Sequence, residues 1–242
     1  MEIAKFFYKV FAVDKEGKPQ AFLGSAFPVA PNGGLLTCRH VVSVDLPDDQ
    51  QIAVLDNEEG TFSPVSDIVL PSQSGLDLAF LHNALGRPKS EFFPILTPKT
   101  LVVGENVFCF GFFATGGKFA DVEQGYFSGR IVNFFSSEPS PISYSLMLPF
   151  PILEGMSGSP ILTYHNGTKL VGIGYGNRSS RILVDHEILT YKDERREYKE
   201  TIHRIVEFGV AYHCATIINF LSQIGVKGFV VSDEQVNIPG LS

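Results

Sequence analysis

The sequence predicts an all-β protein, a sandwich or barrel built from short strands. Apolar runs recur at intervals of about 8–12 residues, and Gly, Pro, Asn or Asp separates them. One such break, Asn166-Gly167 between two apolar runs, is the strongest short-range signal for a hairpin. With 242 residues and 44% hydrophobic content, the chain is long and apolar enough to bury one large core or two smaller ones.

Eleven segments qualify as strands because they are rich in β-branched and aromatic residues and end at turn residues. In chain order they are Phe6–Val13, Ala21–Val29, Gly34–Cys38, Gln51–Asp56, Leu78–His82, Asn106–Phe112, Gln124–Phe135, Tyr144–Leu148, Pro160–Tyr164, Lys169–Tyr175 and Glu207–His213. The hairpin at Asn166-Gly167 begins with the strand Pro160–Tyr164. The glycine-containing segment just before that strand, which includes Ser157, is therefore expected to be a turn that leads into it.

Two further segments show apolar residues at helical spacing. Cys214–Gln223 repeats them every three to four positions, which predicts a C-terminal helix over about residues 214–224. Asp185–Val206 is highly charged and places Tyr191 and Tyr198 on one face of a possible helix. We therefore expect a second, charged helix before the last strand.

Charge and composition narrow the classes of function. The net charge of −7 is spread without a long basic run, so neither nucleic acid nor an anionic membrane surface is an expected partner. No segment approaches a membrane span and the N-terminus lacks the pattern of a signal peptide, so we expect a cytoplasmic protein. Cys38, Cys109 and Cys214 lie at unrelated spacings, which indicates reduced, buried thiols and neither a disulfide framework nor a zinc site. We expect no cofactor and no metal.

The stretch LEGMSGSPIL, residues 153–162, surrounds one hydroxyl with residues that favour turns. Gly155, Gly158 and Pro160 are explained equally well by a tight turn that joins two strands. The alternative is a turn that presents Ser157 as a nucleophile while backbone amides point at the reacting oxygen. The motif alone leaves both interpretations open, so other residues must decide.

His40 and Asp77 are the polar residues that favour the catalytic interpretation. His40 ends an apolar strand, and a histidine in such a place is more often structural than catalytic. Asp77 lies inside the apolar stretch GLDLAFL, where burying an unpaired carboxylate costs on the order of several kcal/mol unless a donor such as a histidine ring pairs with it. The chain order His40, Asp77, Ser157 is the order found in chymotrypsin-like peptidases.

The chain resembles the trypsin-like serine peptidases, and more closely the bacterial HtrA-type branch, without a PDZ domain. The motifs that carry the resemblance are LLTCRHVV around His40, LDLAFL around Asp77 and EGMSGSPIL around Ser157. The stretches VGENVFCFGFF and GVAYHCATIINFL extend it, so that it covers roughly residues 20–224.

The resemblance implies the chymotrypsin-like fold, two antiparallel six-stranded β-barrels with a C-terminal α-helix and an active site in the cleft between the barrels. Residues 1–242 would form a single peptidase domain. The first barrel is expected over about residues 1–95, the second over about 105–213, and the helix over about 214–224.

The resemblance also implies a serine endopeptidase that acts on proteins or peptides. Ser157 would be the nucleophile, His40 the general base and Asp77 the group that orients His40. The backbone amides of Gly155 and Ser157 would form the oxyanion hole. The residues expected to bind the substrate side chain are Pro151, Gly174, Tyr175, Gly176, Asn177, Gly209 and Ala211. None of these seven is acidic, so we expect cleavage after small or medium apolar residues and not after Arg or Lys.

Three departures from the family pattern bear on activity. Met156 stands where digestive enzymes have an aspartate that pairs with a newly cut N-terminus, so activity without N-terminal cleavage is expected. Cys38-Arg39 replaces two small residues before His40, and Arg39 is expected to face solvent or the cleft, more often the solvent for a long cation. Residues 177–207 replace a short loop, either as a solvated excursion or as a lid or docking element.

These departures leave one alternative function open. The chain would then be a catalytically latent or inactive trypsin-like module that binds or regulates, and that requires a partner protein.

Overall fold

The computed structural model describes residues 6–56, 59–89, 91–115, 121–136, 144–191 and 196–234, with the backbone alone described for 181–191 and 196–204. Within these ranges the chain forms fourteen strands and two helices. The strands make two antiparallel sheets of seven strands each, and the all-β prediction is confirmed. None of the helices in these ranges is long and apolar enough to cross a membrane.

The first sheet is built from the N-terminal strands. Their bounds are β1 (Tyr8–Asp14), β2 (Pro19–Pro28), β3 (Leu35–Thr37), β4 (Gln50–Asp56), β5 (Thr61–Pro64), β6 (Ile68–Val69) and β7 (Ala79–Leu81). Their order in the sheet is β5-β4-β1-β2-β3-β7-β6. A short helix, α1 (Arg39–Val42), follows β3 and contains His40.

The second sheet is built from the later strands. Their bounds are β8 (Asn106–Ala114), β9 (Val122–Arg130), β10 (Asn133–Ser136), β11 (Tyr144–Leu148), β12 (Pro160–Tyr164), β13 (Thr168–Tyr191) and β14 (Arg196–His213). Their order is β10-β11-β14-β13-β12-β8-β9. Helix α2 (Cys214–Gln223) follows β14 directly, in the place where the sequence predicts a C-terminal helix.

Each sheet has seven strands where six were expected. In the first sheet, β5 and β6 are pieces of four and two residues that carry too little pattern to be recognised. In the second sheet, the predicted strand Gln124–Phe135 is two strands, because the amide of Ile131 donates to Glu105 C=O and that of Val132 to Met147 C=O. The chain thus leaves one neighbouring strand and joins another between β9 and β10.

The connection between the sheets is itself hydrogen-bonded to the second sheet. The amide of Leu96 donates to Leu170 C=O (2.9 Å) and that of Leu170 to Pro94 C=O (2.8 Å). Nearby, the buried ring of Phe93 lies 5.3 Å from Phe6 and 6.1 Å from Phe27, centroid to centroid. Buried side chains of both sheets form one contiguous hydrophobic core, so the sheets are held against each other by apolar contact.

Strands β13 and β14 form a long two-stranded ribbon. The prediction of a charged helix over Asp185–Val206 is therefore wrong. The two strands pair from Gly172↔His213 to Tyr191↔Arg196, with irregularities between Gly174 and Gly176 and between Leu183 and Asp185. β-Branched residues are frequent in the outer parts of both strands, and such residues favour strands over helices. The outer pairs also continue the register that is already set inside the sheet. Among the described residues, the neighbouring strands pair with the ribbon no further out than Gly209, so about 14 residues per strand extend roughly 45 Å beyond the sheet.

His213 links this last strand to α2. Its Nδ1 accepts a hydrogen bond from the amide of Ala215 (3.0 Å), so the side chain caps the helix. The ring is buried against the rings of Phe134 and Tyr144, and Cys214 Sγ lies 3.5 Å from Nδ1. Burial lowers the pKa of His213 to about 4, which keeps the imidazole neutral and able to accept.

We expect His213 to make the protein less stable in mild acid. The unfolded chain binds a proton near its ordinary pKa of about 6.5, whereas the folded chain resists it until about pH 4. The contribution of His213 to the free energy of unfolding is therefore fully present above roughly pH 6.5. It is lost at up to about 1.4 kcal/mol per pH unit as the pH falls toward 4.

His213→Asn keeps an acceptor at the cap but does not titrate, so the variant should lose less stability over this range. Urea unfolding of both proteins at about pH 7 and about pH 4.5 measures the difference. Identical losses in the two proteins would show that His213 does not carry this pH dependence.

Candidate active site

The turn that contains Ser157 connects β11 to β12 and is closed by local hydrogen bonds. The amide of Met156 donates to Leu153 C=O and that of Ser159 to Met156 C=O, both at 2.9 Å. Gly155 and Gly158 have φ of +89° and +86°, a conformation that side chains rarely adopt. A Cβ on Gly158 would also lie 1.9 Å from Ser25 O. Glycine is therefore required at this position by conformation and by space.

Ser25 of β2 holds this turn against the first sheet. Its amide donates to Ser157 C=O (2.9 Å) and its Oγ donates to Gly155 C=O (3.0 Å). Its own carbonyl accepts from Thr37 Oγ1 (2.7 Å), and Ser25 is 1% exposed. The backbone around the nucleophile is thus positioned from the opposite sheet.

Two backbone amides in the turn are available to a ligand. Glu154 C=O accepts from the amide of Ala114 at the end of β8 (3.1 Å). Because a trans peptide directs its C=O and N–H to opposite sides, the N–H of Gly155 points away from β8. In the part of the chain that the structure describes, neither the Gly155 amide nor the Ser157 amide donates to a protein acceptor.

His40 and Asp77 form a two-point contact. His40 Nδ1 lies 2.5 Å from Asp77 Oδ2, and the His40 backbone amide donates to Asp77 Oδ1 (2.8 Å). The side chain of His40 is 48% exposed and that of Asp77 is 26% exposed. The carboxylate therefore fixes both the backbone and the ring of His40, and Nε2 is left for the cleft.

A tyrosine from the second sheet supports Asp77. The backbone amide of Asp77 donates to Tyr212 Oη (3.0 Å), and the ring of Tyr212 stacks on that of Tyr175 at 4.3 Å and 23°. Burial raises the pKa of Tyr212 well above its ordinary value, so the hydroxyl stays protonated. Asp77 is therefore hydrogen-bonded to residues of both sheets, as is the turn that contains Ser157.

The turn of Ser157 and the residue after His40 both approach Gly24 of β2 closely. A Cβ on Gly24 would be 2.7 Å from Val41, the residue after His40, and 3.0 Å from Ser157 O. No hydrogen bond joins the Ser157 and His40 side chains among the described contacts. Catalytic hydrogen bonds are often long in the absence of substrate, so this separation is compatible with a triad.

Cys38 lies behind the His40–Asp77 pair and completes a group of potential metal ligands. Its Sγ, one ring nitrogen of His40 and one oxygen of Asp77 all lie within 4.8 Å of one another. However, the thiol is fully buried and donates to Gly174 C=O (3.3 Å), and burial raises its pKa well above the ordinary value. A metal would need the thiolate, so the chemistry of this group fits a protonated packing residue better.

The structure brings the seven residues expected to bind substrate into one region beside the Ser157 turn. Gly174 pairs with Ala211 and Asn177 with Gly209, while Tyr175 and Gly176 form a bulge opposite Val210. The amide of Gly209 donates to Phe150 C=O (2.9 Å), which places Pro151 at the same point. Their roles in binding stay a prediction.

Met156 is buried in the core. It is 0% exposed, and a Cβ on Gly111 of β8 would lie 3.0 Å from its side chain. An aspartate at this position would need a cation to offset its burial, whereas the thioether needs none. Met156 thus packs the turn against β8 through apolar contact and needs no ion pair.

Three residues that shape the site escaped the sequence reasoning: Ser25, Tyr212 and Ile152. Ser25 and Tyr212 act across the cleft, and Ile152 contacts Gly174 and Gly209, which are distant in the chain. Their positions depend on which segments the two sheets bring together, and no local pattern encodes that.

Residues 24–173, more than half of the chain, match the family model described as a trypsin-like peptidase domain. Two structures of the HtrA-type protease AlgW with a decapeptide align at a TM-score of 0.56 and 17% identity, over 93% and 91% of this chain. This chain spans 64% of each of those chains. A Glu endopeptidase in complex with MPD aligns at a TM-score of 0.56 and 14% identity, over 94% of this chain and 93% of that one. No curated protein sequence matches the chain.

The family match and the fold agree. The chain belongs to the trypsin-like peptidases, a family of serine endopeptidases. The aligned structures share its chymotrypsin-like arrangement of two β-sheets and a C-terminal helix, which confirms the predicted fold class.

We expect Tyr212→Phe to lower stability, because the variant keeps the stacked ring but leaves the amide of Asp77 without its acceptor. A lost partner for a part-buried amide costs about 1–3 kcal/mol. Tyr164→Phe is the matched control, since Tyr164 is 63% exposed and its change should stay within about 0.5 kcal/mol. Urea unfolding measures both variants, and equal stabilities would contradict the support that we assign to Tyr212.

Proposed function

We propose that the chain is a serine endopeptidase in which Ser157, His40 and Asp77 form the catalytic triad. The observation that carries the proposal is the two-point contact between His40 and Asp77, at 2.5 and 2.8 Å, beside a turn that presents Ser157. Side chains from both sheets meet there, as the family's mechanism requires.

Each residue of the triad would perform one step. His40 Nε2 takes the proton of Ser157 Oγ as the oxygen attacks the substrate carbonyl, and later gives a proton to the leaving amine. Asp77 holds Nδ1–H, which fixes the tautomer and stabilises the imidazolium that forms. Water then hydrolyses the acyl-enzyme by the same transfers, and proton transfer of this kind contributes about 10²–10⁴-fold.

The amides of Gly155 and Ser157 would bind the oxyanion. The hydrogen bond from Ala114 to Glu154 C=O supports this role because it turns the Gly155 N–H away from β8. The contacts of Ser25 with Ser157 and Gly155 keep both amides in place before substrate arrives. Such preorganised donors contribute about 10²–10³-fold each in known enzymes.

The substrates that we infer are proteins or peptides cleaved after small or medium apolar residues. The name of the Glu endopeptidase indicates cleavage after glutamate in that protein. In this chain the residues predicted to bind the substrate side chain are Pro151, Gly174, Tyr175, Gly176, Asn177, Gly209 and Ala211, and none of them carries a charge. A charged substrate side chain would find no counter-ion among these seven, whereas an apolar one gains burial.

The ribbon beyond Asn177 and Gly209 would govern which folded proteins reach the cleft. Among the residues that the structure describes, the two strands pair along their outer length with each other alone, so both edges of the ribbon offer backbone groups to an extended partner segment. Isolated two-stranded ribbons are marginally stable in water, which favours a bound partner or a docked substrate. A regulatory protein could bind the ribbon in the same way, by pairing an extended segment with one of these edges.

A latent module is the alternative function, and one observation favours it. The structure shows no hydrogen bond between the side chains of Ser157 and His40, and in this alternative a partner protein would complete the triad. Reduced thiols are typical of the cytosol, and the predicted cytoplasmic location would place either function there.

We expect a fluorophosphonate probe to label Ser157 alone in the intact chain. The Ser157 Oγ–P bond forms, fluoride leaves, and His40 takes the serine proton. Ser157→Ala should abolish labelling and Asp77→Asn should slow it by at least about 100-fold. Intact mass and site mapping measure both effects. Absence of labelling in a folded protein would favour the latent module.

We expect replacement of residues 180–204 by Asn-Gly to separate small from large substrates. Turnover of a short peptide should stay within about twofold, because the ribbon leaves the sheet after Asn177. Turnover of a folded protein should change by at least about tenfold if the ribbon excludes or docks it. Unchanged turnover of both substrates would remove the ribbon from the mechanism.

A further inference from the structure

The side chain of Asn177 joins the two segments that would flank a substrate side chain. Its Oδ1 accepts from the amide of Ile152 (2.7 Å) and its Nδ2 donates to Ile152 C=O (2.8 Å). One segment is the last part of the chain before Ser157, and the other is β13 as it leaves the sheet. The carboxamide therefore acts as a two-point bridge across the region beside the nucleophile.

The side chain of Ile152 fills the space below this bridge. A Cβ on Gly174 would lie 2.9 Å from Ile152 Cδ1, and a Cβ on Gly209 would lie 3.2 Å from Ile152 Cγ1. Ile152 itself is 4% exposed. The two glycines thus leave room between β13 and β14 that the chain's own isoleucine already occupies.

The segment that carries Ile152 is also held on either side. The amide of Gly209 donates to Phe150 C=O (2.9 Å), and the amide of Met156 donates to Leu153 C=O (2.9 Å). Together with the two bonds to Asn177, these contacts fix the residues before and after Ile152. The segment cannot move outward to enlarge the space without breaking backbone hydrogen bonds.

We propose that Ile152 and Asn177 determine specificity by closing the primary pocket, so that the enzyme cleaves after Gly or Ala and discriminates against larger residues. This inference rests on the proposed function of Ser157 and narrows its substrate class. We call the substrate residue whose carbonyl Ser157 attacks the cleavage-site residue.

The physical basis is a filled volume with satisfied polar groups. A cleavage-site Leu or Phe would have to displace Ile152 from a buried position and break the Asn177 bridge. Small side chains need neither change, because Gly176 is open on its outer side, with only Val210 Cγ2 at 3.9 Å from a Cβ. Methylene-sized differences in such sites change rates about 10–200-fold.

The experiment uses peptidyl diphenyl phosphonates that differ only in the cleavage-site residue, Ala, Leu or Phe. Attack by Ser157 forms the Oγ–P bond and expels phenol, and intact mass gives the labelling rate. We expect the wild type to react at least about 10-fold faster with the Ala probe than with the Leu or Phe probe. Ile152→Ala should reduce this preference by at least about 10-fold, and Asn177→Ala should reduce it by a smaller factor.

Two controls separate pocket effects from general damage. Ile131→Ala removes an equally buried isoleucine (2% exposed) away from the cleft, and Asn133→Ala removes an exposed asparagine. Both should keep the wild-type preference for the Ala probe. If Ile152→Ala is unstable, Ile152→Val enlarges the same space with less loss of packing and should shift the preference in the same direction.

A fluorophosphonate without a cleavage-site side chain distinguishes failure of this inference from failure of the proposed function. If that probe does not label Ser157, the peptidase proposal fails, and this inference fails with it. If it labels Ser157 and the Leu or Phe probe reacts as fast as the Ala probe, the closed pocket is overturned while the peptidase stands. A preference that Ile152→Ala leaves unchanged would also overturn it.

Discussion

The junction at Ser25 is the constraint on which the rest of the site depends. Through its amide and its hydroxyl, this one buried residue of β2 binds the carbonyls of Ser157 and Gly155 on the opposite sheet. The approach is so close that position 158 admits only glycine. Because the junction sets the distance between the sheets, it also sets where Ser157 lies relative to His40 and Asp77.

Hydrogen bonds between the two sheets also hold Asp77. Its carboxylate binds His40 of the first sheet, while its backbone amide binds Tyr212 of the second. Cys38, two residues before His40, reaches the carbonyl of Gly174 on the second sheet. The cleft is therefore held by hydrogen bonds that cross between the sheets, and Met156 adds buried apolar contact in place of an ion pair.

Sequence reasoning reached the fold class and singled out His40 and Asp77, which contact each other, and the turn of Ser157, because these depend on local patterns and chain order. Alternation and turn residues located β8, β11 and β12 closely, and Asn166 and Gly167 adopt the positive φ of +50° and +97° that their hairpin requires. The ribbon was misjudged because its apolar residues, Tyr191 and Tyr198 among them, also fit a helical spacing.

Ile152 and Ser25 were missed for a different reason. Their roles arise from contacts with Gly209 and Gly155, which lie 57 and 130 positions away in the chain. Whether a glycine leaves room for a substrate or for the chain's own side chain is decided by packing between distant strands. The sequence shows the glycine but not what occupies the space beside it.

The most direct test of this account is the rate at which a fluorophosphonate labels Ser157 in Ser25→Ala. The variant keeps the backbone bond to Ser157 but loses the hydroxyl that positions Gly155, so the account predicts a folded protein that labels at least about 10-fold more slowly. Thr163→Val, which removes a buried hydroxyl away from the cleft, should label at the wild-type rate. A wild-type rate in Ser25→Ala would contradict the claim that contact between the sheets assembles the site.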